Sequence, residues 1–394
     1  MRWIQAGLSA VEPAARVAHA LRGQSVEKCA LLAVGKAAGG MASGAESALK
    51  GRVASALVIG SGPLRHPLPD KWRYMTGDHP VPGKNSLAAG RAARRFVENL
   101  EPGAPLIVLL SGGGSALMEI PVPGLLLPEL QAINRCLLAS GMDIGRMNDI
   151  RARFSMLKRG GLLRLAGERR VTGLIMSDVP QDRVADIASG PLSPEPFCWP
   201  AEKLPQALQD WHERLPMPPS DPPLAIPDIE IIGRNADALA AIAQQVEDDG
   251  FAVAERRSLS GDAVEAGTGI AARLRNGPPG VYLHGGETTV RLPDSHGRGG
   301  RNQQLALAAA NTLAGSNDVL LLAFATDGID GNTEDAGALV DGGTVDRIRE
   351  AGLEARACLA AADSNAALAA AGDIIHTGPT GTNVMDIVIG WKFA

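Results

Sequence analysis

The sequence predicts an α/β protein of two domains, and three observations carry that prediction. Short apolar runs such as Cys29–Val34 and Leu106–Leu110 show no polar alternation, as strands of a parallel sheet covered on both faces require. Each of these runs ends at or near glycine and leads into residues with helical spacing. The chain then breaks into prolines over Trp199–Pro227 and restarts the strand–helix pattern at Ile229, which places a domain boundary near Pro227, giving domains 1–227 and 228–394.

Taken in order, residues 5–22 repeat Val11, Ala15, Val17 and Leu21 at the spacing of one amphipathic helix. Cys29–Val34 is a buried strand, followed by Gly35-Lys36 and a helix of small residues. Lys36 thus falls where a strand's carboxyl end meets a helix start, the edge at which open α/β sheets bind ligands. It is either a phosphate or carboxylate partner or a solvated lysine. Ala54–Gly60 is a third strand, Ser61–Pro82 reads as loop, and Leu87–Leu100 as helix. His79, set among prolines, either binds substrate or serves as a loop residue.

The central stretch is Leu106–Met118, a buried strand that stops at Ser111 and three glycines, Gly112, Gly113 and Gly114. Glycines bring backbone N–H groups close to a ligand, and Ser115 is suited to cap the following helix. The stretch reads either as an anion site for a phosphate or carboxylate or as a tight turn that binds nothing. It is neither a P-loop, whose G-x-x-x-x-G-K-S/T string is absent, nor a G-x-G-x-x-G/A dinucleotide turn, since Leu117 holds the last position.

Leu127–Ala139 reads as helix; Asn148–Leu165 is the most basic stretch, and on a helix there Arg151, Ser155 and Lys158 share one stripe before Gly160-Gly161 ends or reshapes it. Two cations on that stripe either grip a polyphosphate or carboxylate or form a solvated basic face. Val171–Met176 is a strand ending in Ser177-Asp178, where a carboxylate can act as base, hold a metal through water, or cap a helix. In the second half, strands are expected at Ile229–Gly233, Phe251–Glu255, Val281–His284, Val319–Ala325 and Ile387–Ile389. Helices are expected at Asn235–Asp249, Gly261–Leu274 and from Arg301 to Leu313. A polar hairpin should join His284 to Arg301. Arg301, Asn302 and Gln303 open a helix, a second anion-ready start. Asp327 repeats the logic of Asp178, an acid directly after a buried strand.

Composition narrows the function. The 394 residues are 45% hydrophobic and 21% charged, an ordinary balance for a globular chain of two domains. A net charge of −5 argues against nucleic acid as a partner. Four scattered cysteines (Cys29, Cys136, Cys198, Cys358) read as reduced thiols rather than a zinc site or disulfide framework. With neither a signal peptide nor an apolar run long enough for a membrane, the expected location is the cytoplasm.

Several strings together carry a family resemblance. They are GKAA at 35–38, LLSGGGSAL at 109–117, SDV at 177–179 with IASGP at 187–191, GGETTV at 285–290, GRGGRNQ at 297–303, TDGIDG at 326–331 and TGPTGTN at 377–383. In this order, over nearly the whole chain, they resemble the glycerate 2-kinase family. The resemblance implies an N-terminal Rossmann-like domain with a mostly parallel sheet and a C-terminal MOFRL-type α/β domain. It also implies ATP- and divalent-metal-dependent phosphorylation of D-glycerate at its 2-hydroxyl, giving 2-phosphoglycerate, in a cleft between the domains.

By the same resemblance Lys36 and Arg301 bind substrate or assist transfer; from their place after buried strands, Asp178 and Asp327 are expected as further catalytic or Mg2+-holding carboxylates. Ser111, Gly112, Gly113, Gly114, Ser115, Arg151, Lys158, Glu287 and Asn302 complete the expected binding set. The expected partners are D-glycerate and ATP, without nucleic acid or membrane, and a homodimer is admissible. Departures from the family pattern are Arg159 inside its K-G-G string, Gln181 where it has glycine and Asn332 where it has proline. The rival activity is an NAD(P)H-dependent hydroxypyruvate reductase, a name members have often carried; a non-catalytic small-acid sensor is the third reading.

Overall fold

A computed structural model of the chain describes residues 1–23, 28–65, 67–139, 142, 144–195, 204–221 and 225–393. It divides into two compact units, one of Glu12–Gly233 and one of Met1–Val11 with Arg234–Ala394. The boundary expected at Pro227 lies one strand upstream of this division. Asp228–Gly233 pairs in parallel with Val171–Met176 in the first unit's sheet, as an edge strand whose first four residues are not buried. The single helix expected over 5–22 is likewise two. Helix α1 (Arg2–Ala10) stops before Glu12, whose carboxylate accepts from the amides of Ala14 and Ala15 to start α2 (Pro13–Leu21). Helix α1 belongs to the unit that holds the C-terminus. There Trp3 donates to Asp249 at 2.9 Å and meets Phe251 and Trp391 edge to face.

The rest of the first unit runs β1 (Cys29–Val34), α3 (Ala38–Leu49), β2 (Val53–Gly60), β3 (Arg73–Thr76), α4 (Lys84–Glu98), β4 (Leu106–Leu110) and α5 (Gly114–Leu117). It continues with α6 (Leu127–Ala139), α7 (Ile144–Arg153), α8 (Gly161–Ala166), β5 (Val171–Met176), α9 (Gln206–Arg214) and β6 (Asp228–Gly233). The strands form one sheet in the order β3-β2-β1-β4-β5-β6, and every pairing is parallel. At its centre β1 and β4 are buried at every residue, which is why they carry no polar alternation. Each fully buried Leu, Ile or Val there contributes roughly 1.5–3 kcal/mol. Aliphatic packing therefore suffices where rings are few.

Three expectations change in this unit. The Ser61–Pro82 loop contains β3. The helix expected from Asn148 up to Gly160-Gly161 already ends at Arg153, and the next one starts at Gly161, so Arg151, Ser155 and Lys158 do not share a helical stripe. The proline-rich stretch also does more than connect. Leu208, Trp211 and Leu215 pack with Leu130, Ile133 and Phe154. The Arg153 guanidinium ties this segment down by donating to the carbonyls of His212, Leu215 and Pro216. Cys198 and the 199–203 and 222–224 parts of that stretch lie outside the described residues.

The second unit continues with α10 (Asn235–Asp248), β7 (Val253–Leu259), α11 (Ala263–Asn276), β8 (Gly280–Gly286), α12 (Arg301–Leu313) and β9 (Val319–Ala325). After these come β10 (Gly337–Asp341), α13 (Thr344–Glu350), α14 (Ala355–Ala360), α15 (Ser364–Ala371), β11 (Ile374–Ile375) and β12 (Asp386–Lys392). Its sheet has the order β11-β10-β9-β12-β8-β7 and is mixed. β7 and β8 are parallel, while β12 runs antiparallel to both β8 and β9. The expected hairpin between His284 and Arg301 is an irregular loop with one isolated bridge, Asp262 to Thr289. No described helix is long and apolar enough to cross a membrane.

Candidate functional site

In the first unit the strand order reverses direction between β1 and β4. The crevice outside the carboxyl ends of two such strands is where open α/β sheets take ligands. The loops leaving these strands are Gly35-Lys36 and Ser111–Gly114, and they are stitched together. Ser111 N–H donates to Val34 O at 3.0 Å and Lys36 N–H to Gly112 O at 2.9 Å. Ser111 Oγ is buried and accepts from the Ala37 amide at 3.1 Å, so this expected ligand group is spent on shaping the turn. Gly113 has φ +82°, and a Cβ there would meet Lys36 Cγ at 3.2 Å and His79 Cδ2 at 3.3 Å. Lys36 and His79 therefore flank the glycine loop, with the Lys36 side chain half-buried.

Helix α5 is a single turn begun at Gly113, so Ser115 lies inside it rather than capping it. Ser115 Oγ is 2.8 Å from Ser189 Oγ, which donates to Asn148 Oδ1 at 3.0 Å. Asn148 in turn receives Arg151 Nη1 at 3.4 Å. This chain brings α7 and Arg151 to the neighbourhood of the glycine loop. Arg151 Nε is buried with no hydrogen-bond partner, and burial, partly offset by Glu119, pulls the guanidinium below its ordinary pKa. Lys158 departs further from expectation. Its ammonium is buried against Glu119 and donates to Ser115 O at 3.0 Å. Asp178 is half-buried just past the end of β5, ahead of a short 3-10 turn at Pro180–Asp182.

In the second unit Arg301 opens α12. Its Nε donates to the buried carboxylate of Asp386 at 2.8 Å, and Nη1 pairs with Glu287, in the loop after β8. Burial works against the guanidinium's charge, but Asp386 and Glu287 outweigh it and raise its pKa above the ordinary value. The next residue, Asn302, turns inward. It is buried, its amide and side-chain nitrogen both reach Asp330 Oδ1, and the Gln303 amide reaches Oδ2 at 2.8 Å. Asp330 is thus the internal cap of α12. Burial first, and the Asp386 charge second, raise its pKa to about 6. Asp327 is half-buried after β9. Its Oδ1 accepts from Ile329 N at 3.0 Å, and its carbonyl accepts from Thr380 N, which joins the TDGIDG and TGPTGTN loops.

The structure gathers Lys36 and Gly112–Gly114 at one locus, linked through Ser115 to Arg151, and sets Arg301 with Glu287 at another. Lys158, Ser111 and Asn302 face inward. Glu119, Asn148, Ser189, Asp330 and Asp386 were not picked out from the sequence. The IASGP string that places Ser189 and the TDGIDG string that places Asp330 were the available signals. Among the described residues no group of three or more His, Cys, Asp or Glu stands ready to hold a metal ion.

A family profile described as a domain of unknown function (DUF4147) matches residues 1–210, and the MOFRL family profile matches residues 280–386. A D-glycerate 2-kinase of Thermotoga maritima is 34% identical over 402 residues, spanning 98% of this chain and 96% of that protein. A protein of Agrobacterium vitis, provisionally named hydroxypyruvate reductase, is 34% identical over 98% of this chain and 92% of its own. The crystal structure of a glycerate kinase from Thermotoga maritima superposes with a TM-score of 0.83 at 32% identity, covering 99% of this chain and 98% of that one.

Proposed function

The chain belongs to the glycerate 2-kinase family and is a kinase, and from that membership we propose that it transfers the γ-phosphoryl group of ATP to the 2-hydroxyl of D-glycerate. The observation that carries this reading is the near full-length match to a D-glycerate 2-kinase, in a chain with cations at Lys36 and Arg301 beside glycine-rich strings. Phosphoryl transfer asks the protein chiefly to position two substrates and to neutralise developing charge. Lys36 and the Gly112–Gly114 amides offer that to a phosphate or carboxylate. Arg301, held on two sides by carboxylates, presents its remaining donors to a second anion.

Asp178 and Asp327 each offer a single half-buried carboxylate in its own unit. That donor set fits Mg2+, which takes one or two carboxylates and keeps its remaining bonds to phosphates and water. The metal would supply charge neutralisation on the nucleotide, with either aspartate contributing one oxygen.

The reductase reading is weaker. The first sheet has the strand order of dinucleotide-binding folds, in which the fingerprint glycines occupy the β1–α turn. Here that turn reads Gly35-Lys36-Ala37-Ala38-Gly39-Gly40, with Ala37 where the second glycine would let a pyrophosphate approach. A lysine in the turn suits a phosphate-handling kinase better. The test is ADP release with each glycerate enantiomer, followed by product identification by NMR, set beside NADH consumption with hydroxypyruvate. ADP release specific to D-glycerate with a 2-phosphoglycerate product supports the kinase; NADH oxidation without ADP release overturns it.

A further inference from the structure

Behind the glycine loop, a buried ion pair ties three segments of the first unit together. Glu119 and Lys158 expose 2% and 4% of their side chains and pair directly. Every oxygen of the Glu119 carboxylate is used: Oε2 takes Lys158 Nζ, while Oε1 accepts from Ser155 Oγ and from the Ile120 amide at 2.9 Å. Ser155 Oγ in turn accepts from the Leu157 amide, and Ser155 bridges Pro121. Lys158 Nζ then reaches forward to Ser115 O at 3.0 Å. Since Ser115 Oγ is already bound to Ser189 Oγ, this residue is held from both ends.

A buried ion pair is a poor source of stability, because the cost of dehydrating both charges often matches their attraction. Its better-attested use is to hold a geometry. We propose that Glu119 and Lys158 are positioning residues, a strut that fixes the Gly112–Leu117 loop in its ligand-ready shape, and that Lys158 acts through Ser115 rather than by touching phosphate. The proposal deepens the kinase reading and rests on it for the role of the loop. The strut also explains the charge balance. Glu119 neutralises Lys158, which leaves Arg151, on the Ser115–Ser189–Asn148 chain, as the net positive group of this cluster. Burial disfavours the Lys158 ammonium, and the Glu119 partner opposes that effect.

The test uses Glu119→Gln, Lys158→Met and the double variant, which removes both charges and so leaves neither stranded. The singles should lose thermal stability, and the double should recover most of it. Hydrogen–deuterium exchange should be at least about tenfold faster across residues 112–118 in the double variant, with protection of the β4 amides unchanged; this readout does not depend on the reaction. In the kinase assay the double variant should lose about tenfold or more in kcat while its KM for ATP and for D-glycerate stays within about threefold. Wild-type exchange in the double variant overturns the strut. A rise in either KM at unchanged kcat also overturns it, by marking Lys158 as a direct ligand. A wild-type enzyme without kinase activity would remove the kinase reading alone, since the exchange measurement still decides whether the strut exists.

Discussion

The amide of Lys36 donates to the carbonyl of Gly112 at 2.9 Å, locking the turn after β1 to the loop after β4 at the sheet's switch point. The lysine's backbone thus shapes the loop, while its half-buried side chain lies along the glycine face. Lys36→Ala keeps the backbone bond and removes only the ammonium. It should reduce kcat/KM by about 10²-fold or more, the scale of losing one preorganised charge, with Tm nearly unchanged. Steady-state ADP release and a thermal melt together check this; full turnover in the variant would take Lys36 out of the site.

Gly113 is the position in that loop where glycine is required twice over. Its φ of +82° disfavours any L side chain, and a Cβ would press on Lys36 Cγ and His79 Cδ2 at 3.2 and 3.3 Å. Gly113→Ala should cost about 1–2 kcal/mol of stability from the backbone conformation. It should also weaken substrate binding by pushing Lys36 aside. Calorimetric titration with ATP and with D-glycerate reads the second effect. Unchanged affinity for both would reduce the loop to a simple turn.

How far the sequence could be read depended on whether a feature was local. Leu106–Leu110 followed by Ser111-Gly112-Gly113-Gly114 announces a buried strand and a bare loop within nine residues, and both are present. Arg301–Leu313 was equally legible as a helix. What spacing cannot see is a break in a helix or a partner far along the chain. Arg151 and Lys158 share a stripe only if the helix continues through Phe154–Gly160, and it does not. Ser115 finds Ser189 74 residues away, and Asn302 looks solvent-facing until Asp330 folds over it. Strand β6 reads as the start of the second half because prolines precede it, although its pairing lies with β5.

Arg301 is held by two carboxylates of unequal burial, Asp386 at 2% and Glu287 at 35% side-chain exposure. The two should not be equivalent. Asp386→Asn strips the dehydrated partner and should cost about 2–3 kcal/mol, with kcat/KM falling about tenfold or more as the guanidinium loses its aim. Glu287→Gln removes a solvent-screened partner and should cost about 1 kcal/mol or less. Urea denaturation and kinetics on both variants test the ranking; equal losses of stability would show that burial does not govern the clamp.

Gln181 and Arg159, two of the departures from the family pattern, both sit at positive φ, +65° and +44°. The Arg159 guanidinium is anchored on Asp149, Asp186 and the Ala185 carbonyl. Gln181 is exposed and carries no charge to anchor. A left-handed conformation costs a non-glycine residue about 1–2 kcal/mol, against about 0.5–1 kcal/mol of extra chain entropy lost by glycine on folding. Gln181→Gly should therefore stabilise the protein by up to about 1 kcal/mol. A higher urea midpoint at unchanged m-value is the expected result, and a lower midpoint would show the strain is absent.

Asp330 makes the fold sensitive to pH in a defined direction. Its carboxyl is 1% exposed and lies near Asp386, so its pKa rises from 3.8 to about 6 on folding, despite the amides of Asn302 and Gln303 that favour its charge. Between these values the folded chain holds a proton that the unfolded chain has released. The contribution to stability is therefore fully present below pH 3.8 and lost as pH rises through about 6. Over pH 4.5 to 7.5 the loss should be about 2 kcal/mol. Asp330→Asn cannot titrate and lacks this slope, while its amide oxygen still accepts from one of the α12 amides. Subtracting the two urea-denaturation series cancels the titrating groups that do not interact with Asp330, so the wild type should fall relative to the variant across this window. Parallel curves would mean that Asp330 is ionised in the fold throughout, with the helix amides and Arg301 outweighing its burial.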